Sequence, residues 1–384
     1  MRLLIFTLAC LLACPAFSAD EGNISAATET VRIGLAQSIN EVVVEMKGIS
    51  VVTDIESGRK FRSTKPSLYR VKPYADGKTE MAGKILGAEL RIMPIEGQER
   101  VKFNGKEYRG GVYIKLNKDQ TLTVIEEVGL EEYLYGVLPL EMGPNWPLEA
   151  LKAQAVVART YTLTQLKRFS DSGYDLSADV KSQVYGGSTY DYPAVLEAVR
   201  STSGEVLTYK EKLVETYYHA ACGGHTTSPL WDDDVIKPLR GVFCKFCRSS
   251  ANYNWSVTVS NSKVLNYLQS KGLDARKVTG IKSVKKNRSG RTLLLKFSTD
   301  NGSKTLDAKE FRSVMGNTQI KSTYFTGIQR KKDGFRVYGQ GYGHGAGMCQ
   351  DGASEMAKRG RNYKQILDFY YPGSELSDWR DTEK

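Results

Sequence analysis

Leu148-Glu149-Ala150-Leu151-Lys152-Ala153-Gln154-Ala155-Val156-Val157-Ala158-Arg159-Thr160-Tyr161-Thr162-Leu163 is the stretch on which the fold turns. Leu148, Leu151, Ala155, Ala158 and Thr162 recur at helical spacing, and Leu166 continues the series. Pro147, just ahead of them, is a helix-start signal. Val156 and Leu163 lie on another side, so the spacing predicts a helix that is apolar over much of its circumference and buried. Lys152 and Arg159 sit two turns apart and share a face. Two cations on one side of a buried helix are costly unless they meet a partner, and an anionic ligand or Glu141 would serve.

Working outward, residues 130–137 read as a short helix stopped by Pro139. Residues 112–116 and 122–128 read as a hairpin. Residues 19–104 read as a strand-rich N-terminal region with turns at Gly and Pro and no chemical motif. Downstream come a helix near 192–200 and strands at 205–209 and 213–219. Strands and short helices follow through 252–335, then a glycine-dense loop from Gly339 to Gly352. A last helix at 363–371 is closed by Pro372-Gly373, before a tail at 374–384. The class predicted is α+β: antiparallel strands packed around a buried central helix.

Hydrophobic residues make up 41% and charged residues 25% of the chain, so a sizeable core is available. Residues 1–18 carry one charge, Arg2, before an apolar run too short to span a bilayer, and read as a signal peptide. Leu11-Leu12-Ala13-Cys14 also resembles a lipoprotein box, with Cys14 as the lipidated residue. Either reading sends the protein out of the cytoplasm, to the periplasm or cell envelope. The net charge of +11 suits a polyanionic partner, of which the cell wall and lipid headgroups are nearest after export, though excess Lys and Arg also serve solubility. No nucleic-acid motif is visible.

Outside the signal the chain keeps Cys222, Cys244, Cys247 and Cys349. His219-x-x-Cys222 and Cys244-x-x-Cys247 form two tight pairs separated by twenty-one residues. Such pairs bring four ligands to one tetrahedral ion, and thiolate plus imidazole suits one structural zinc. Four filled ligands leave no open position for catalysis. His225 competes with His219 as the fourth ligand, and a Cys244–Cys247 disulfide is a further alternative. Phe243 and Phe246 are placed to keep the sulfurs dry, and Cys349 reads as a small buried residue without an evident partner. The Asp232-Asp233-Asp234 run reads as a solvated loop.

Five ordered blocks carry a resemblance. They are residues 131–142 (EEYLYGVLPLEM), 146–161 (WPLEALKAQAVVARTY), 182–187 (SQVYGG), 219–226 (HAACGGHT) and 343–350 (GHGAGMCQ). Together they resemble the SpoIID/LytB-type family over about 105–373, which would make that span the catalytic domain. The resemblance implies a peptidoglycan lytic transglycosylase acting on glycan strands stripped of stem peptides by an amidase, with Glu141 as the catalytic acid. Some relatives are described as amidase enhancers, so a non-catalytic, wall-binding modulator of a cell-wall amidase stays open. Lys152 and Arg159 are candidate contacts to substrate. Ser182, Gln183 and Tyr185 offer amide, hydroxyl and aromatic groups suited to sugar, or a turn with a packed tyrosine. His344 is placed near the cleft, bonding sugar or orienting Glu141, or is a satisfied structural histidine.

Overall fold

The computed structural model describes residues 29–63, 65–95, 100–188, 192–229 and 235–382. The expected signal peptide, Cys14 and the 232–234 acidic run lie outside them. Among the described residues there are seven α-helices: α1 (Leu130–Glu141), α2 (Leu148–Thr164), α3 (Pro193–Arg200), α4 (Asn261–Ser270), α5 (Ala308–Met315), α6 (Gln350–Lys358) and α7 (Tyr363–Tyr370). None is long and apolar enough to cross a membrane.

The N-terminal half is strand-built because its apolar residues alternate. Val42, Val44 and Met46 point inward along one strand, and Ser50, Val52 and Asp54 along the next. A seven-stranded sheet runs in the order Leu176–Ser177, Thr30–Ile39, Leu122–Gly129, Gly111–Leu116, Glu89–Pro94, Ser50–Asp54 and Lys60–Ser63. A six-stranded sheet is centred on Val42–Met46, which lies between Val101–Phe103 and Ser67–Tyr74. Thr30 pairs with Gly129, and Val112 with Ile92. The boundary expected at 104/105 therefore cuts through one sheet, and residues 30–94 share a core with α1 and α2. Cross-strand pairing ties distant segments into one layer, and local composition does not reveal it.

The central helix α2 is buried as its spacing predicts, with twelve of its seventeen residues inside. Its surroundings differ from the expectation. α1, α3, α6, α7 and the strand Glu205–Tyr209 pack on it, rather than a shell of strands. α1 extends through Pro139 to Glu141. Pro139 forgoes the bond to the Tyr135 carbonyl one turn back, and the helix still runs two residues past it. α6 begins inside the supposed glycine loop, at Gln350.

Residues 254–340 form a further unit with its own core, including Trp255, Val264, Phe297, Phe311 and Phe335. It holds the sheets Asn254–Ser260/Gly334–Gln340/Phe325–Lys331 and Val278–Lys286/Thr292–Thr299/Gly302–Asp307, with α4 and α5. Ser260 and Asp307 cap these two helices by accepting backbone N–H groups of Lys263 and Glu310.

Candidate active site and cysteine centre

Glu141 is the last residue of α1, a place where the helix dipole opposes negative charge. Burial also pushes its carboxyl above the usual range, while hydrogen bonds from the Val184 N–H and the Tyr218 hydroxyl pull the other way. The Val184 N–H lies 2.9 Å from Glu141 Oε1. Gly136 makes this contact possible. A Cβ there would lie 2.4 Å from the Tyr185 ring and from the Gly187 carbonyl, so only glycine lets residues 183–187 lie flat on α1. The Gly186 N–H donates to the Gly136 carbonyl and fixes the alignment. At the other side, Gln350 of α6 donates to the Glu141 carbonyl at 3.2 Å.

The carboxyl faces a cavity of about 280 Å³ lined by Tyr161, Lys181, Ser182, Tyr217, Tyr218 and His344, with Val180 and Val184. Glu141 is the only carboxylate among the lining residues. Behind Tyr218, the amide of Gln183 is buried. Its Nε2 donates to the Tyr218 hydroxyl at 3.2 Å, and its Oε1 lies 3.3 Å from the Tyr133 hydroxyl and 2.9 Å from that of Thr162. His344 accepts the Ala346 N–H on Nδ1 at 3.1 Å and donates to the Tyr218 carbonyl. One ring nitrogen thus braces its own loop and the other holds the Tyr218 backbone.

Of the residues expected around the substrate, Ser182 and His344 line the cavity with Glu141. Gln183 stands one layer back. The others go elsewhere. Arg159 is fully buried and forms a two-point ion pair with Glu131, at 2.8 and 2.6 Å, instead of meeting Glu141 or a ligand. Its Nη1 donates to the Glu205 carbonyl at 2.9 Å. The helical periodicity that places Arg159 on α2 does not say that α1 turns Glu131 toward it. Lys152 pairs with Glu149 one turn back, at 3.1 Å. Tyr185 is packed between Tyr108 and Tyr133 in the core. The cavity also takes in Tyr161, Lys181, Tyr217 and Tyr218, with Gln350 behind Glu141; Tyr161 and Gln350 each close one of the motif blocks, whereas Lys181, Tyr217 and Tyr218 lie outside them and carry no signal in sequence.

The cysteine centre also differs from its expected composition. The sulfurs of Cys222, Cys244, Cys247 and Cys349 are all buried and lie within 4.8 Å of one another, and no disulfide joins them. Metal–sulfur bonds of about 2.3 Å in a tetrahedron put sulfurs about 3.8 Å apart, so the four fit one ion. Cys349, not His219, completes the set. The strand Tyr218–His219 runs parallel to Met348–Cys349, with His219 opposite Cys349. This pairing brings the Cys349 sulfur to 3.2 Å from the Cys222 N–H. It depends on Gly347, whose φ is +67° and whose Cβ would lie 1.9 Å from the Tyr217 carbonyl. His219 instead places Nδ1 3.0 Å from the Ala346 carbonyl, and His225 bonds locally to Thr226. Phe243 is 63% exposed and does not cover the sulfurs, whereas the Tyr370 hydroxyl lies 3.3 Å from Cys244 Sγ. Hydrogen bonds from Gly224 N–H to the Cys222 sulfur and from Cys222 N–H to the Cys349 sulfur suit thiolate ligands.

Residues 118–209 match the SpoIID family, described as stage II sporulation protein, and residues 239–347 match a family described only as a domain of unknown function. An uncharacterized protein of Brachyspira hyodysenteriae is 37% identical over 293 residues, covering 76% of this chain and 77% of its own. The stage II sporulation protein D of Bacillus subtilis is 30% identical over 276 residues, covering 66% and 76%. The amidase enhancer of the same bacterium is 28% identical over 417 residues, covering 94% of this chain and 57% of its own. The chain belongs to the SpoIID family.

Proposed function

We propose that this protein is an envelope enzyme that cleaves peptidoglycan glycan strands as a lytic transglycosylase, on strands cleared of stem peptides by a cell-wall amidase. The observation that supports this most is the Glu141 carboxyl, held above its ordinary pKa at the wall of a cavity with no second carboxylate among the described residues that line it. Hydrolytic glycosidases generally need two carboxyl groups. One suffices if the sugar supplies its own nucleophile. Glu141, protonated, gives its proton to the glycosidic oxygen as the bond to the anomeric carbon breaks. The resulting carboxylate takes the proton of the muramic acid 6-hydroxyl, whose oxygen closes onto that carbon and leaves a 1,6-anhydro end. Ser182 and His344 border the reacting sugar in this reading.

Tyr218 fits both halves of the cycle. A hydroxyl can accept from a protonated Glu141 and donate to an ionised one. The Gln183 amide behind it is flanked by the Tyr133 and Thr162 hydroxyls, which can themselves donate or accept.

The four cysteines are proposed to bind one structural zinc. A closed four-thiolate site of this kind supplies folding free energy and cross-linking rather than catalysis. It ties the 222–247 excursion to the start of α6.

The relative named amidase enhancer keeps a second reading in play, a wall-binding modulator of an amidase without its own cleavage activity. Glu141→Gln separates the two. It keeps size and hydrogen-bonding capacity but has no proton to give. Turnover of amidase-treated peptidoglycan, followed by mass spectrometry of 1,6-anhydro products, should fall by about a hundred- to ten-thousand-fold. Undiminished cleavage by the folded variant, or products with reducing ends alone, would refute the mechanism.

A further inference from the structure

The positive charge of this chain is concentrated in one unit. Residues 254–340 contain eighteen Lys and Arg against five Asp and Glu, and the rest of the chain has thirty-six against thirty-eight. The unit alone therefore carries more than the chain's whole excess of +11. Charge that served only solubility would have no reason to be segregated in this way.

Within the unit, the acids do little to offset it. Glu310 pairs with Lys271, Asp307 caps α5, and Asp300 accepts the backbone N–H groups of Arg276 and Lys277. The sheet Val278–Lys286/Thr292–Thr299/Gly302–Asp307 buries one face, where Ile281, Leu295 and Phe297 point inward. On the outer face Lys282 stands directly opposite Lys296, and both are exposed. Like charges at directly opposed positions destabilise a sheet. Lys285 and Lys286 follow on the same strand, and Arg276 and Lys277 lead into it, all exposed. Beyond Lys296 on the outer face lies Thr305, which is also exposed.

We propose that this outer face is a docking surface for an extended anionic polymer of the wall whose charges are phosphodiesters repeated along one chain. Lysine ammonium groups bind phosphate as mobile point charges and do not need the fixed geometry of a guanidinium fork. That suits a flexible polymer. A membrane surface is the poorer match. Val284, 51% exposed, is the single large apolar residue presented by this sheet, whereas helices that lie in bilayers insert a row of them. The polymer would hold the enzyme on the wall while the Glu141 cavity works on glycan, so the proposal stands whether or not that cavity is catalytic.

The test uses the full chain and a variant with Lys277, Lys282, Lys285 and Lys296 all changed to Gln, leaving Lys286, whose Nζ donates to the Phe325 carbonyl at 3.2 Å, in place. Binding to purified poly(glycerol phosphate) is measured by titration across a salt series, beside poly-glutamate, duplex DNA and vesicles containing phosphatidylglycerol. The wild type should bind poly(glycerol phosphate) best, with log K falling as log salt rises. The variant should lose most of that affinity, and its slope should shrink by about 3, since each neutralised contact contributes about 0.7–0.9. Its thermal stability should be equal or higher, because an opposed pair of like charges is gone, and its cleavage of short soluble glycan should be unchanged. Equal affinity and slope in the variant would overturn the proposal. So would tighter wild-type binding to vesicles, DNA or poly-glutamate. Absence of glycan cleavage in both proteins would count against the transglycosylase reading alone.

Discussion

Replacing Arg159 by Ala should damage the fold and leave glycan recognition intact. The guanidinium is fully buried and makes three contacts under 3 Å, two to Glu131 and one to the Glu205 carbonyl. The Gly204 N–H also reaches Glu131 at 3.3 Å, so the ion pair joins α1, α2 and the start of the strand Glu205–Tyr209. Removing one member of a buried pair typically costs about 3–5 kcal/mol, because the remaining charge is stranded. Here the Glu131 side chain keeps 27% of its exposure and can recover some hydration, which favours the lower end. The void left by the side chain and the orphaned Glu205 carbonyl act in the opposite direction. A loss of about 3 kcal/mol follows, or about 6 °C in melting temperature at about 2 °C per kcal/mol for a large chain. The assay is thermal unfolding of both proteins, paired with glycan binding at a temperature where both are folded. A variant of wild-type stability that no longer binds glycan would refute this reasoning and return Arg159 to the substrate.

Cys349→Ser should abolish retention of a bound metal ion and lower the melting temperature, whereas His219→Ala should keep the metal; elemental analysis of natively purified protein decides between the two ligand sets. Tyr218→Phe removes a hydrogen bond that favours ionised Glu141, so the Glu141 pKa should rise further. Activity that requires the protonated acid is lost as pH rises through that pKa, so the alkaline limb of the rate profile should move to higher pH as turnover falls; an unmoved limb would argue that Tyr218 is only packing. Glu126 is buried in the N-terminal sheet, and burial raises its carboxyl to about 7, with the Gly110 N–H as a partial offset. Because the folded value lies above the unfolded one, its contribution to stability is complete below about pH 4 and is lost as pH rises through 7. Glu126→Gln should therefore flatten the decline in stability between about pH 4 and pH 7, read by denaturant unfolding, and an unchanged decline would place the titration elsewhere.

Local periodicity and a run of motif blocks made much of this protein legible in its amino-acid order. The buried α2, the 111–129 hairpin, the α+β class and the family all follow from residues close together in sequence. Glu141 stands out there too, although its environment does not. What the order of residues leaves open depends on contacts between distant segments. Arg159 could be placed on a buried face, but only the packing of α1 shows that Glu131 meets it. The His219-x-x-Cys222 spacing looks like half a metal site, yet a parallel pairing across more than a hundred residues substitutes Cys349 for the imidazole. Tyr218 carries no motif of its own and gains meaning when Gln183 and His344 close around it. The strands before residue 105 look like a separate region until their partners at 111–129 are seen. Side-chain spacing is set by the local helix or strand geometry, so sequence determines it directly. Partner choice for a buried charge, thiol or sheet edge is made by whichever segment the whole fold brings within hydrogen-bonding range, and only the tertiary structure decides that.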